Sequence, residues 1–254
     1  MRPLPRIALA IVVTTVSARL IAAEHVAVAA AANLVYVLEP LDADFAKSEP
    51  DVNVTTEIGA SGTLVAQISN GAPYDVFLSA DLDYPKKLVK AGQAQASSLV
   101  TIALGKLVLW TTRPKIDLPS VERVVRSPSV KRVALANPRT APYGRAAEEV
   151  LAKLDLTEVA NAKLVFGENI AQTAQYVSSG NVDVGFVALS LVLSPKLKDK
   201  GRWLEVPAGL YRPIAQGGVL TRHGANNRAA QRYLRYLTSS AAREVFARFG
   251  YGSP

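Results

Sequence analysis

The sequence predicts an α/β fold with mainly parallel sheets, and three observations support that prediction. Short β-rich runs alternate with helical runs along the chain, which is the rhythm of strand–helix–strand units. With 254 residues, the chain is long enough to bury a sizeable core. Its composition, 49% hydrophobic and 20% charged, excludes a disordered or collagen-like protein.

The first third of the chain predicts three strands separated by helices. The strands are expected at residues 25–30, 52–58 and 75–79, and two helices at 63–69 and 82–91. Between the first two of these strands, apolar residues recur at steps of four, three and four. They form one face of a helix and are Leu34, Leu38, Leu41 and Phe45. Pro40 interrupts this face, so the helix is expected to start late or to kink there.

The rest of the chain continues the same alternation. Further strands are expected at residues 106–111, 133–136, 163–166 and 182–188. Helices are expected at residues 145–154, 171–178, 227–237 and 241–249. No internal repeat, low-complexity tract or flexible linker interrupts the pattern, so two lobes, if present, would be joined through ordered structure.

Residues 1–23 have the three-part layout of a secretory signal peptide. Arg2 and Arg6 form a basic start, residues 7–16 are apolar, and small residues follow up to Ala23. The apolar run is too short to span a membrane as a helix. We predict cleavage after Ala23 and export to the periplasm, and removal of Arg2, Arg6 and Arg19 lowers the formal net charge from +8 to +5.

Several kinds of chemistry are excluded or disfavoured by composition. The absence of cysteine excludes disulfides, thiolate metal sites and a cysteine nucleophile. With His25 and His223 as the only histidines, multi-histidine metal sites and Ser-His catalysis are hard to build. The acidic pairs at 148–149 and at 81 and 83 point in different directions and are expected to be solvated. A hydrolytic enzyme is therefore the disfavoured alternative, and because the basic residues are dispersed, no nucleic acid is expected.

Four predicted strands end in loops of small and polar residues that open helices, at 30–34, 59–63, 137–144 and 167–170. Ligands of open α/β sheets bind beyond the carboxyl ends of strands, where helix N-termini present unpaired N–H groups. Asn33 and Ser61 could add side-chain donors. Such neutral donors would suit a fully ionised oxyanion, although ordinary strand-to-helix turns have the same spacing.

Particular stretches of the chain resemble the periplasmic molybdate-binding proteins of ABC transporters. They are AAANL at 30–34, GASGTL at 59–64, NGAPYDVFLSAD at 70–81 and the ending FARFGYG at 246–252. The resemblance covers essentially the whole chain after residue 23. It implies a two-lobed periplasmic binding protein fold of type II, with the ligand in the interlobe cleft. Lobe 1 would comprise residues 24–103 plus 214–254, and lobe 2 would comprise residues 104–213.

The resemblance also implies how the ligand is held. Molybdate or tungstate would accept hydrogen bonds without direct protein–metal bonds, and the donors would be Asn33, Ser61, Tyr143 and Ile170, the last two through backbone N–H groups. Some family members carry a tyrosine donor at the position of Ala188. Asn33 or the Tyr143 hydroxyl would have to replace that donor here.

The function implied by the resemblance is capture of the anion and delivery to an ABC permease in the inner membrane. The protein would act as a monomer and without a cofactor. Alternatives that stay open are binding of another tetrahedral oxyanion such as sulfate, binding of ferric iron through tyrosines, and a role as an interaction module or sensor.

Overall fold

The computed structural model describes residues 24–254, and the predicted signal peptide at 1–23 lies outside the described residues. Over residues 24–254 the chain forms ten strands: β1 (Glu24–Ala31), β2 (Val52–Gly59), β3 (Val76–Ser79), β4 (Val100–Gly105), β5 (Leu107–Thr111), β6 (Val133–Ala136), β7 (Leu164–Gly167), β8 (Val184–Ala188), β9 (Arg202–Glu205) and β10 (Ile214–Leu220).

Ten α-helices lie between and after these strands in the described part of the chain. They are α1 (Leu38–Ser48), α2 (Ser61–Ser69), α3 (Asp83–Lys90), α4 (Val121–Arg126), α5 (Pro142–Lys153), α6 (Thr157–Asn161), α7 (Ile170–Ser178), α8 (Leu189–Val192), α9 (Arg228–Tyr236) and α10 (Ser240–Arg248).

The strands form two five-stranded sheets with the same plan. The first sheet has the order β2-β1-β3-β10-β4, and β10 runs antiparallel to the other four strands. The second has the order β7-β6-β8-β5-β9, and β5 is the reversed strand. The predicted α/β fold with mixed, mainly parallel sheets is therefore confirmed.

The chain passes between the two sheets twice. Lys106 alone separates β4 from β5, and residues 206–213 connect β9 to β10. We call β1–β4 and β10 with α1–α3, α9 and α10 the first lobe, and β5–β9 with α4–α8 the second lobe. The residue limits of the lobes expected from the sequence stay a prediction.

Each face of the first sheet is covered by helices. On one face, Phe45 of α1 packs edge-on against Tyr233 of α9, with ring centroids 5.1 Å apart. On the other face, Leu64 of α2 and Leu88 of α3 pack with Phe77. Burial of such side chains contributes about 1.5–3 kcal/mol each, which explains how the fold is stabilised without disulfides.

The core of the second lobe extends across the cleft. It includes Trp110 and Phe186, and it is continuous with alanines at the ends of first-lobe strands, Ala31, Ala60 and Ala80. Small side chains here let the backbones of the two lobes approach closely. The lobes therefore meet through an apolar surface beside the strand ends.

Several elements were not recognised in the sequence: β4, β9, β10, α4, α6 and α8. The strand β10 reads IAQGGVL, so a buried Gln216 and two glycines hide its β character. A Cβ at Gly217 would lie 2.8 Å from the Asp81 carbonyl oxygen, and the glycine is therefore required by a close approach. Pro40 falls in the first turn of α1, where its missing N–H costs no hydrogen bond, so the helix starts late, at Leu38.

One partly buried carboxyl on α1, that of Asp42, makes stability depend on pH. The Tyr233 hydroxyl donates to Asp42 over 2.6 Å, and burial raises the pKa of Asp42 from 3.8 to about 6. Because the folded pKa exceeds the unfolded one, the stabilisation is present below about pH 4 and is lost as pH rises through 6.

Asp42→Asn keeps an acceptor for Tyr233 and removes the charge. At pH 7.5 we expect the free energy of unfolding of the variant to exceed that of the wild type by on the order of 2 kcal/mol, with a higher unfolding temperature. Near pH 4 the two proteins should be equally stable. Calorimetry at both pH values checks this. In the control Asp44→Asn the sign reverses, because Lys47 and Tyr236 lower the pKa of Asp44. A destabilised Asp42→Asn at pH 7.5 would contradict the prediction.

Candidate functional site

The four loops singled out in the sequence meet at one small cavity between the lobes. Its empty volume, including its opening, is about 190 Å³, and Asn33, Ser61, Tyr143 and Ile170 all line it. A larger groove of about 800 Å³ lies beside it, but its walls carry charged side chains of both signs. The small cavity is the candidate site because it gathers the helix starts that follow the strand ends.

Ile170 illustrates how local structure supplies a donor. It is the first residue of α7, and the Asn169 side chain caps that helix by accepting from the N–H groups of Ala171 and Gln172, each at 3.0 Å. The Asn169 side chain does not accept from the N–H of Ile170 itself. At a helix start this group has no intrahelical partner, and the helix dipole favours a negative charge beside it.

Tyr143 occupies the corresponding place on α5. Pro142 takes the first helical position, where its missing N–H costs nothing, and the Tyr143 N–H follows in the first turn. Both residues line the cavity. The second lobe therefore contributes two helix starts, as the sequence predicts.

Ser61 begins α2 and is 1% exposed. Its oxygen accepts from the Ala80 N–H over 3.1 Å, which fixes the hydroxyl group at the end of β3. No acceptor for the hydroxyl proton is found within residues 24–254. This proton is thus available to a ligand oxygen.

Asn33 lies in a 3-10 turn, Ala32–Leu34. The sequence predicts that its side-chain amide is free to donate to a ligand, but the structure shows both amide hydrogens engaged. The two hydrogens of its amide are engaged by Gln216 Oε1 at 2.7 Å and by the Tyr251 hydroxyl at 2.8 Å. Its Oδ1 is buried without a partner in the described part of the chain. The donor that Asn33 can offer is consequently its backbone N–H.

The Tyr143 hydroxyl is buried and has no hydrogen-bond partner in residues 24–254. Burial raises the pKa of Tyr143 well above its ordinary value, so the group stays protonated at neutral pH. A side chain at Gly105, on the first connection between the lobes, would collide with this hydroxyl. Ala188 ends β8 and is fully buried.

The two lobes touch around the cavity in a closed arrangement. The Gly62 N–H donates to the Thr140 carbonyl over 2.8 Å, and the Tyr84 hydroxyl donates to the Arg139 carbonyl over 3.1 Å. A Cβ at Gly62 would lie 2.5 Å from the Tyr84 oxygen, so the glycine permits this contact. Backbone groups of both lobes thus meet directly beside the helix starts.

An ion pair between Asp81 and Arg145 also crosses the cleft. Ser79 Oγ and the Tyr84 N–H hold one carboxylate oxygen of Asp81, each at 3.0 Å, and the other oxygen faces Arg145. Burial raises the pKa of Asp81, opposed by the Tyr84 N–H and by the Arg145 charge. The Asp81 side chain is 13% exposed, so the expectation that it is solvated is wrong, because the cleft closes over it.

Other groups considered in the sequence lie elsewhere. His25 contacts Thr55, and His223 contacts Asp75, neither of them at the cavity. Within residues 24–254 no group of three or more acidic or histidine side chains is placed to hold a metal ion. Over the same residues, no helix combines the length and the hydropathy needed to cross a bilayer.

Comparison with known proteins places this architecture in a family. The model of the family described as bacterial extracellular solute-binding protein matches residues 26–252. The chain belongs to this family. It is 44% identical over 230 residues to the molybdate-binding protein ModA of Azotobacter vinelandii, covering 91% of this chain and 90% of that protein. It is 41% identical over 231 residues to ModA of Rhodobacter capsulatus, covering 91% and 89%.

A solved structure agrees with the sequence comparison. The periplasmic molybdate-binding protein of Azotobacter vinelandii superimposes with a TM-score of 0.84 and 35% identity, covering 90% of this chain and 99% of that one. The resemblance drawn from the residues, and the two-lobed periplasmic binding protein fold that it implies, are therefore confirmed.

The ion pair across the cleft should favour the closed arrangement. Arg145→Met removes the charge and leaves a buried Asp81 carboxylate unpaired, which disfavours closure by on the order of 1–3 kcal/mol. We expect a larger radius of gyration than that of the wild type in small-angle scattering under identical conditions. Arg232→Met is the matched control, because Arg232 is similarly exposed but pairs with Glu24 and Glu49 inside the first lobe. Equal radii for Arg145→Met and wild type would contradict this role.

Proposed function

We propose that this protein captures molybdate or tungstate outside the cytoplasmic membrane and delivers it to the permease of an ABC transporter. The observation that carries the proposal is the cavity itself, in a chain whose relatives at 41–44% identity are molybdate-binding proteins. The described residues that line it offer backbone N–H groups and hydroxyls and include no charged side chain. Such a lining suits an oxyanion that carries no proton to donate.

Neutral donors are sufficient for tight binding of a dianion. A hydrogen bond to a charged group contributes about 1.5–3 kcal/mol, more than a bond between neutral groups. Four such bonds, from Asn33, Ser61, Tyr143 and Ile170, together contribute about 6–12 kcal/mol against the cost of association. No buried cation is required, and the molybdenum atom makes no direct bond to the protein.

The missing tyrosine donor is replaced, in this proposal, by the Tyr143 hydroxyl. That group is buried, protonated and without a partner among the described residues, and Tyr143 lines the cavity. The hydroxyl lies beside Gly105, so the ring has to turn inward for it to reach a ligand oxygen. An unsatisfied buried hydroxyl costs about 1–3 kcal/mol, which a ligand oxygen would relieve. Asn33 is the weaker candidate, because its amide hydrogens are already used.

Selectivity and release both follow from donors on two lobes. Asn33 and Ser61 belong to the first lobe, while Tyr143 and Ile170 belong to the second, so a bound anion joins them across the cleft. An anion smaller than molybdate, such as sulfate, leaves some donors too far away when the lobes close. The closed monomer, with its signal peptide removed, would dock on the permease in the periplasm, and opening there would release the anion.

A thermal-shift panel tests the proposed ligand directly. Molybdate and tungstate should each raise the unfolding temperature of the mature protein, because a ligand that binds only the folded state stabilises it, and more so the more tightly it binds. Sulfate and phosphate at the same concentration should produce little change. Stabilisation by sulfate equal to that by molybdate would support the alternative oxyanion, and stabilisation by none of the four would contradict the proposal.

Removal of the Tyr143 hydroxyl should separate binding from stability. Tyr143→Phe is expected to weaken molybdate binding about tenfold in calorimetric titration, yet to raise the unfolding temperature of the ligand-free protein, because an unsatisfied buried hydroxyl is lost. Ser61→Ala should also weaken binding about tenfold but should not stabilise the ligand-free protein, since its oxygen accepts from Ala80. Wild-type affinity in Tyr143→Phe would show that only the backbone of Tyr143 contributes.

A further inference from the structure

A buried hydrogen-bond cluster behind the cavity is centred on Tyr251, in the ending FARFGYG. The Tyr251 hydroxyl lies 3.0 Å from the Asn33 carbonyl oxygen, 2.8 Å from Asn33 Nδ2 and 3.1 Å from Ser190 Oγ. Ser190 Oγ donates to the same Asn33 carbonyl over 2.9 Å. Tyr251 and Ser190 are 6% and 4% exposed, so water does not compete for these bonds.

The cluster holds Asn33 at both its backbone and its side chain. Gln216 Nε2 donates to the Ile214 carbonyl, which turns Gln216 Oε1 toward Asn33 Nδ2. The Tyr251 hydroxyl accepts from the same nitrogen. In a helical turn the carbonyls and the N–H groups point in opposite directions along the axis. Because the Asn33 carbonyl is held on the side of Ser190 and Tyr251, the N–H groups of the turn are directed away from them.

The same cluster joins the two lobes. Ser190 belongs to α8 of the second lobe, whereas Asn33 and Gln216 belong to the first. The terminal segment is also held to β4, because Gly252 and Leu104 exchange two backbone hydrogen bonds of 2.8 Å. A Cβ at Gly250, which has a φ of +78°, would lie 2.7 Å from Leu189 on α8.

We propose that Tyr251, together with Ser190, is a positioning residue for the oxyanion site, and the inference rests on the proposed function. The Tyr251 hydroxyl does not line the cavity but holds the turn that does. In a ligand-free protein without it, the Asn33 carbonyl keeps Ser190 as a partner while the amide loses one of two acceptors. The turn then samples more orientations, and binding requires that this freedom be lost.

Tyr251→Phe isolates the hydroxyl, because the ring keeps its edge-on packing against Phe246, at 5.4 Å between centroids. Titration with sodium molybdate should show affinity reduced about tenfold. Hydrogen exchange of the ligand-free protein should rise at residues 32–35 and stay unchanged at residues 61–64. The matched control is Tyr236→Phe, whose hydroxyl donates to Asp44 over 2.9 Å away from the cavity, and whose affinity should stay within twofold of wild type.

The outcomes separate this inference from the proposed function. If the wild-type protein does not bind molybdate, the proposed function is overturned. The hydrogen exchange of Tyr251→Phe and wild type at residues 32–35 would still test whether Tyr251 holds the turn. Wild-type affinity in Tyr251→Phe, an equal loss in Tyr236→Phe, or unchanged exchange at residues 32–35 would overturn the inference. If Tyr251→Phe does not fold, Ser190→Ala removes the second-lobe bond to the same carbonyl and should raise exchange at the same residues.

Discussion

The structure depends on one constraint, which is that hydrogen-bond donors without partners must converge on a small space from which water is largely excluded. Donors on two lobes can meet there only if backbones approach closely, and this explains the alanines at 31, 60 and 80 and the glycine at 62. Helix starts meet the requirement economically, because their first N–H groups have no partner within the helix. The same constraint removes any need for a buried lysine or arginine, whose desolvation would cost several kcal/mol.

Two sets of contacts hold the lobes around this space, and they differ in character. At the rim, Asp81 of the first lobe faces Arg145 of the second, and backbone hydrogen bonds run to residues 139 and 140. At the back, Tyr251 and Ser190 form a neutral, buried cluster on Asn33. The ion pair lies in the same groove as Arg212 and Pro213 of the second connection. The cluster lies beside Gly105 and Ile214, where the two connections meet the first sheet.

A large part of the site could be predicted from the sequence, because its elements are local. Small residues after a strand and before a helix mark a loop that opens toward a ligand, and such loops point to Asn33 and Ser61. The family resemblance adds Tyr143 and Ile170, and all four residues line the cavity. What was missed is non-local. The strand β10 is masked by Gln216 and its glycines, and the Asp81–Arg145 pair joins residues whose separation in the chain gives no periodic signal. The partners of the Asn33 amide hydrogens, Gln216 and Tyr251, are nearly two hundred residues or more away in the chain, so the sequence gives no sign of them.

The sequence by itself therefore determined the alternation of strands and helices, the loops at the strand ends, the exported character suggested by residues 1–23, and the exclusion of cysteine and most histidine chemistry. These properties follow from composition and from periodicity over a few residues. The tertiary structure decided which strand of each sheet is reversed, which donors near the cavity are already engaged, and which hydroxyl is left without a partner. The physical reason is that a hydrogen bond or an ion pair depends on distances between groups that only the packing of two sheets brings together.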